Sequence, residues 1–500
     1  VYRSTRSDTA AVAPERALIE GLAPDGGLYV PDSLPKLDPA LLGSSRLTYA
    51  DLSYLVLRPF FPTFPESGLK AALAEQSGRF PGSKPAPLAL KAGLGFLELY
   101  HGPTLAFKDL ALTLMGSLLG LAKDKLGISD EIVILVATSG DTGKAALEGL
   151  ARPGYPAKGI RVVVFYPSEG VSAVQKLQMT SHEAPGAKVI GIGGNFDDAQ
   201  RGVKAIFASE GAASLLAARG MRLSSANSIN IARLLPQIVY YVEGYRAMRD
   251  AGKLGPDGLL DVAVPTGNFG NILAAWYAKR MGLPLGRLIC ASNRNRVLAD
   301  FFGQGAYDRN RPFYKTESPS MDILVSSNLE RLIFHATGED PERTAGLMAE
   351  LSSKGRYALT PDEAAKLSDF RAGSADEAEA AAAMSRLFKE EGYLVDPHTA
   401  VAVAVLDKLR AEEGSQRPTL VASTASPFKF PVAAARSIGL ELPPSGGGAL
   451  GEIDAAECLA KAAGLELPRA VAALRTAPIV HKTIVEASGM EAALFKALER

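Results

Sequence analysis

The chain has 500 residues, 47% of them hydrophobic, with 54 Lys plus Arg against 54 Asp plus Glu. Such a chain can bury a large core of about three modules, while zero formal charge lacks the electrostatic footprint of a nucleic-acid or anionic-membrane binder and favours a small-molecule partner. Cys290 and Cys458 are too few for a disulfide framework, and His101, His182, His335, His398 and His481 lack zinc-ligand spacing, so the expectation is a metal-free cytoplasmic protein.

Residues 1–95 are punctuated by Pro and Gly (GLAPDGGLYVPDSLPKL, FPTFPESG) and predict an N-terminal accessory module with short helices. The first residues lack an apolar signal core, and no run of about eighteen apolar residues follows, so the chain reads as soluble and unanchored. At residues 101–109, HGPTLAFKD sets Lys108 at the mouth of a helix, LALTLMGSLLGLA, that is apolar on every face. A helix start repels an ammonium and an apolar surround favours the neutral amine, the setting of a Schiff-base lysine. Taken alone, the segment reads more simply as a lysine that reaches solvent beside Asp109.

From there short β-rich runs alternate with helical patterns: 131–137, 161–166, 188–192, 261–264, 287–291 and 419–422. Continuous apolar runs between helices predict an α/β fold with mostly parallel sheets covered on both faces. Ligands of such sheets bind beyond the carboxyl ends of the strands. The domain expectation is 1–95, 96–225, 226–442 and a linker with C-terminal helices over 443–500; residues 372–386 predict an alanine-rich surface helix.

Four strand-end segments are polar. Thr138-Ser139-Gly140-Asp141-Thr142-Gly143 opens a helix and offers hydroxyls and free amides to an anion, or serves as a plain capped turn. It is not a nucleotide P-loop: Thr138 stands where glycine is needed, and Ala145 follows Lys144. Ala226-Asn227-Ser228-Ile229-Asn230-Ile231-Ala232-Arg233 puts Asn230 and Arg233 one helical turn apart, as an oxyanion site or as a capping cluster with a surface arginine. Thr266-Gly267-Asn268-Phe269-Gly270-Asn271 is a second cradle or an ordinary glycine turn; it lacks the dinucleotide fingerprint and suits one phosphate on a compact cofactor. Asp396-Pro397-His398-Thr399 reads as a helix cap with a structural His398, and Ser423–Lys429 (STASPFK) follows the strand at 419–422.

A buried lysine with several anion cradles on an α/β scaffold suggests pyridoxal phosphate chemistry. The chain resembles the threonine synthase family, in the tryptophan-synthase-β-like fold class (fold type II), through YRSTR, GLAPDGGLYVP, HGPTLAFKD, TSGDTG, PSEGVSAVQKLQM, GNFDDAQ, NSINIARLLPQ, PTGNFGN and STASPFKF. The resemblance spans nearly the whole chain and matches the longer form with an extra N-terminal module. It implies two open, mostly parallel sheets, pyridoxal 5'-phosphate as cofactor and Lys108 as the Schiff-base lysine. Gly267, Asn268, Phe269, Gly270 and Asn271 would seat the cofactor phosphate, Thr424 would face the ring nitrogen, and Asp141 would lie near the ring hydroxyl where many relatives carry asparagine. Thr138, Ser139 and Thr142 would hold the substrate's carboxylate or phosphate, with Asn227, Ser228 and Arg233 on its phosphate. The implied reaction turns O-phospho-L-homoserine and water into L-threonine and phosphate, in a monomer or homodimer. The rivals are another lyase or deaminase of the same fold, a phosphometabolite-binding protein without catalysis, and a nucleotide-dependent kinase, the last disfavoured by the failed P-loop pattern.

Overall fold

The computed structural model describes residues 1–43, 47–138, 140–151, 159–169, 171–442 and 448–499. Two open sheets frame it. The larger runs in the order Phe370–Ser374, Leu285–Ser292, Leu260–Pro265, Thr419–Ser423, Leu94–Glu98, Leu88–Lys91, parallel except for the last pair. The smaller is wholly parallel: Ile484–Glu486, Ala187–Gly193, Ile160–Pro167, Glu131–Ala137, Met221–Ser225. Every residue of Leu260–Pro265 is buried, as a strand covered on both faces requires. The expected α/β class, with mostly parallel open sheets and an N-terminal module, is the one observed.

All six apolar runs form strands, extended by a residue or two at most at each end. Five described strands of the two sheets have no comparable run. Leu94–Glu98 reads LGFLE, with no β-branched residue, so its pairing with Thr419–Ser423 rather than its own propensity makes it a strand. It crosses the division drawn between residues 95 and 96. Ile484–Glu486 likewise carries the C-terminal segment into the smaller sheet. The alanine-rich helix is shifted: residues 370–374 pair with Leu285–Ser292, and the helix runs Glu377–Glu391 from an Asp376 cap. It buries Ala380, Ala383, Met384 and Leu387, so one face packs on the core instead of being solvated all round.

The helix Lys108–Leu126 has residues 109–120 all buried. It packs against Pro14–Glu20 and Glu66–Ser77 of the N-terminal region and against Asp141–Leu150. Gly149 makes the last contact close: a Cβ there would stand 2.2 Å from the Leu112 carbonyl oxygen. The first residues are clamped to the body by the carboxylate of Glu330, which accepts from the Thr5 hydroxyl at 2.6 Å and from the Arg6 guanidinium at 2.8 and 2.6 Å. The buried Arg331 donates to the carbonyls of Tyr29 and Ile229.

Candidate active site

Lys108 opens its helix from a loop held against the end of Thr419–Ser423. The Phe107 N–H donates to the Thr424 carbonyl at 2.8 Å, and the Ser426 N–H donates to the Leu105 carbonyl at 3.0 Å. Leu105 has φ 61 to make this turn, a conformation a non-glycine residue adopts only when its surroundings impose it. Thr424, expected to face a ring nitrogen, is therefore one backbone hydrogen bond from the residue preceding Lys108.

The amine does not reach for bulk solvent. Lys108 Nζ lies 3.1 Å from Asp141 Oδ2 and 3.2 Å from Ser320 Oγ, with its side chain 13% exposed. Burial pushes its pKa down and the Asp141 carboxylate pulls it up; the charges of Lys429 and Arg233 push it down again, and the net result is below the ordinary lysine value. Asp141 stands at the head of Asp141–Leu150, where the amide dipoles favour negative charge. Burial alone would raise its carboxyl, but Lys108 and Lys429 hold it well below the usual carboxylate range. Its other oxygen, Oδ1, meets Lys429 Nζ at 2.5 Å and accepts from Gln175 Nε2 at 2.7 Å. Asp141 is thus an anion bound by two amines.

The Thr138 hydroxyl accepts the N–H groups of Gly140 and Gly143 and so shapes its own loop. Thr142 is half-buried. Ser139 lies outside the described residues. Across the site, the Gly270–Arg280 helix starts from Phe269, which has φ 65 and no side-chain cap, so the N-cap residue leaves the first N–H groups of the helix uncapped. Gly267 is required by close approach, since a Cβ would stand 2.3 Å from the Ser320 carbonyl oxygen. The loop is braced from behind by residues 326–328: the Ser326 hydroxyl donates to the Gly267 carbonyl at 2.8 Å, and the Asn328 N–H and side-chain amide both donate to the Asn268 carbonyl. Phe269 packs on Phe302 and Phe370.

Two donors in this region have no acceptor among the described residues. Asn271 Oδ1 accepts from the hydroxyls of Tyr240 and Tyr241, leaving its buried Nδ2 without a partner. Arg233 is buried, with Nη1 bonded to the Ala226 carbonyl at 2.6 Å and Nε bare. No described carboxylate pairs with it, and burial lowers it to about 10. Buried unpaired donors are costly in an empty protein and expected where an anion binds. Ser228 bonds Ser327, Asn227 is half-buried, and Asn230 is spent on structure: it caps Ile231–Leu234 and donates to the carbonyls of Leu18 and Ser225.

A profile of the pyridoxal-phosphate dependent enzymes matches residues 89–424, and one described as the threonine synthase N terminus matches residues 1–76. The sequence is 40% identical to threonine synthase of Pseudomonas aeruginosa over 438 residues, 86% of this chain and 89% of that one. The chain belongs to the threonine synthase family. It is also similar to threonine synthase-like 1 of Macaca fascicularis, 42% identical over 83% of this chain, though it spans only 56% of that longer protein. The crystal structure of pyridoxal-phosphate-bound threonine synthase from Brucella melitensis superposes with a TM-score of 0.85 at 34% identity, covering 100% of this chain and 99% of that one.

This family member is a pyridoxal-phosphate-dependent enzyme, and its residues fit the cofactor. A desolvated primary amine would answer its aldehyde, while an uncapped helix start and the Asn271 amide would answer its phosphate. Sequence reasoning does not single out Ser320, Gln175, Lys429 or the brace at 326–328. Lys429 stands inside the quoted STASPFKF, but nothing in the local pattern marks a lysine after a strand as buried. Ser320 sits in an aperiodic loop with no signal at all.

Proposed function

We propose that this threonine synthase family member converts O-phospho-L-homoserine and water into L-threonine and inorganic phosphate. The observation that carries the reading is Arg233: a buried guanidinium without a carboxylate, near enough to Lys108 to depress its amine, is a seat for an anionic group on the reacting molecule. Asn227 and Ser228 flank the same turn and would share the substrate phosphate. Thr138, Ser139 and Thr142 would take the substrate's carboxylate or phosphate. Gly267 to Asn271 would seat the cofactor phosphate, Thr424 would present a hydroxyl to the ring nitrogen, and Asp141 would lie at the ring hydroxyl.

Bound pyridoxal phosphate supplies an electron sink for the carbanions that the reaction forms. The chain's part is proton handling and exclusion of water. Lys108, released as a neutral amine in a buried setting, takes a proton from the substrate's α-carbon and returns one there; a lysine held as ammonium could not begin. Ser320 Oγ, within hydrogen-bond distance of both Lys108 Nζ and Asp141 Oδ2, orients that amine. A monomer or a homodimer is expected. Two free cysteines, and no described helix long and apolar enough to cross a membrane, support a cytoplasmic assignment.

The test is to give the purified holoenzyme O-phospho-L-homoserine and to measure phosphate and threonine together. Equal amounts of both are expected. Phosphate accompanied by ammonia and a 2-oxo acid would replace this reading with a lyase or deaminase of the same fold.

A further inference from the structure

Lys429 is fully buried, 0% exposed, on the turn Pro427–Lys429 that follows the strand Thr419–Ser423. Its Nζ contacts Asp141 Oδ1 at 2.5 Å and donates to the Thr104 carbonyl at 2.9 Å. Neither the cofactor phosphate seat nor the substrate anion seat uses it. A lysine in so dry a place needs a charge partner. The partner it has is the same carboxylate that holds Lys108 through its other oxygen.

We propose that Lys429 is a positioning residue for the reaction: its ammonium satisfies the Asp141 carboxylate, so that Lys108, on the opposite oxygen, is released as an uncharged amine. The inference rests on Lys108 being the Schiff-base lysine. The charge count supports it. Around the Lys108 amine stand Asp141 from Asp141–Leu150, Lys429 from its turn and Arg233 from Ile231–Leu234, that is, one carboxylate and two further cationic side chains. His398, from Pro397–Glu413, reaches the same cluster through Ser320 and faces its own carboxylate, Asp396. Asp109 is turned away onto the N–H and hydroxyl of Thr104 and acts on Lys429. With Lys429 charged, Asp141 has its counter-ion and Lys108 meets net repulsion. Without it, Lys108 becomes the only amine on the ionised Asp141 and retains its proton. The anchor on Thr104, four residues before Lys108 in the chain, keeps Lys429 in register with the loop that delivers the reactive amine.

The test reads Lys108 without turnover: the rate of imine formation between the full-length apoprotein and pyridoxal, followed by absorbance across pH. Lys429→Met, and Lys429→Gln, which keeps a donor but not the charge, should each move the midpoint upward by about one pH unit or more, so that below it the reaction is about tenfold slower at a given pH. Lys429→Arg should hold the wild-type midpoint. An unmoved midpoint in either folded neutral variant overturns the proposal, and so does an upward shift in the arginine variant, which decides the matter should neither neutral variant fold. If Lys108→Ala still forms the imine, the Schiff-base assignment itself falls, a failure distinct from an unmoved midpoint.

Discussion

His398 accepts the backbone N–H of Ser320 through Nε2 at 3.1 Å. Its Nδ1 faces Asp396 Oδ2 at 2.6 Å, which places the ring proton on Nδ1 and leaves Nε2 as the acceptor. Asp396 in turn caps the helix that carries His398. The histidine therefore sets the height of a loop whose next atoms touch Lys108 and Asp141. His398→Leu should strand a buried N–H and cost about 1–3 kcal/mol in denaturant unfolding, with a clear fall in kcat. His398→Gln, which can still accept, should recover most of the stability. Equal stability of the leucine variant and wild type would remove this role.

Lys108→Ala should leave protein that folds as wild type, since what it removes is the amine's polar contacts to Asp141 and Ser320 and its approach to the Phe107 ring. It should be colourless with pyridoxal phosphate and show no turnover. A yellow, active alanine variant would take Lys108 out of the chemistry.

Arg233→Met should remove a buried uncompensated cation and with it phosphate affinity. Inorganic phosphate at a hundredfold its Kd should stabilise the wild-type apoprotein by about 2.7 kcal/mol through mass action, read as a rise in Tm. The methionine variant should lose most of that rise while binding pyridoxal phosphate nearly as well. Loss of both affinities to the same degree would contradict a substrate role.

Gly267→Ala should press a methyl group against the Ser320 carbonyl, 2.3 Å away without relaxation. The expected result is weaker retention of cofactor during dialysis and a slower reaction, since the phosphate loop and the Ser320 loop must part. An alanine variant with unchanged cofactor dissociation would show that the loops have slack.

Glu148 gives a prediction about pH. Burial would raise its carboxyl, but His182 and Lys144 bring it down to about 2. A carboxyl lowered on folding contributes stability above its unfolded value and loses it as pH falls toward 2. Glu148→Gln should therefore cost about 2 kcal/mol near neutral pH and progressively less in acid, measured as the shift in urea midpoint at several pH values. A cost independent of pH would mean that charge is not what Glu148 contributes. Asp109 runs the other way: burial raises it to about 6, so what it contributes is present below its unfolded value and lost as pH rises through 6.

Several features were legible before folding. The apolar run EIVILVA is a strand end to end, because a strand covered on both faces needs nothing but apolar side chains. The cap at Asp396 and the helix beginning at Lys108 follow from local chemistry alone. Leu94–Glu98 was not legible, because its partner decides its conformation. The surface reading of the alanine-rich segment went astray at its start, since residues 370–374 have strand pairing available only in the assembled sheet.

Local order along the chain determined the position of Lys108, the glycine turn after Leu260–Pro265 and the polar strand ends, since each arises from residues within a few positions of one another. Tertiary structure alone decided which groups surround the lysine. Ser320 meets Asp141 from 179 residues away, and Lys429 reaches Thr104 from 325. The charge carried by a buried amine depends on those distant neighbours and on the water they displace, and neither quantity has a period or a motif that a linear reading could detect.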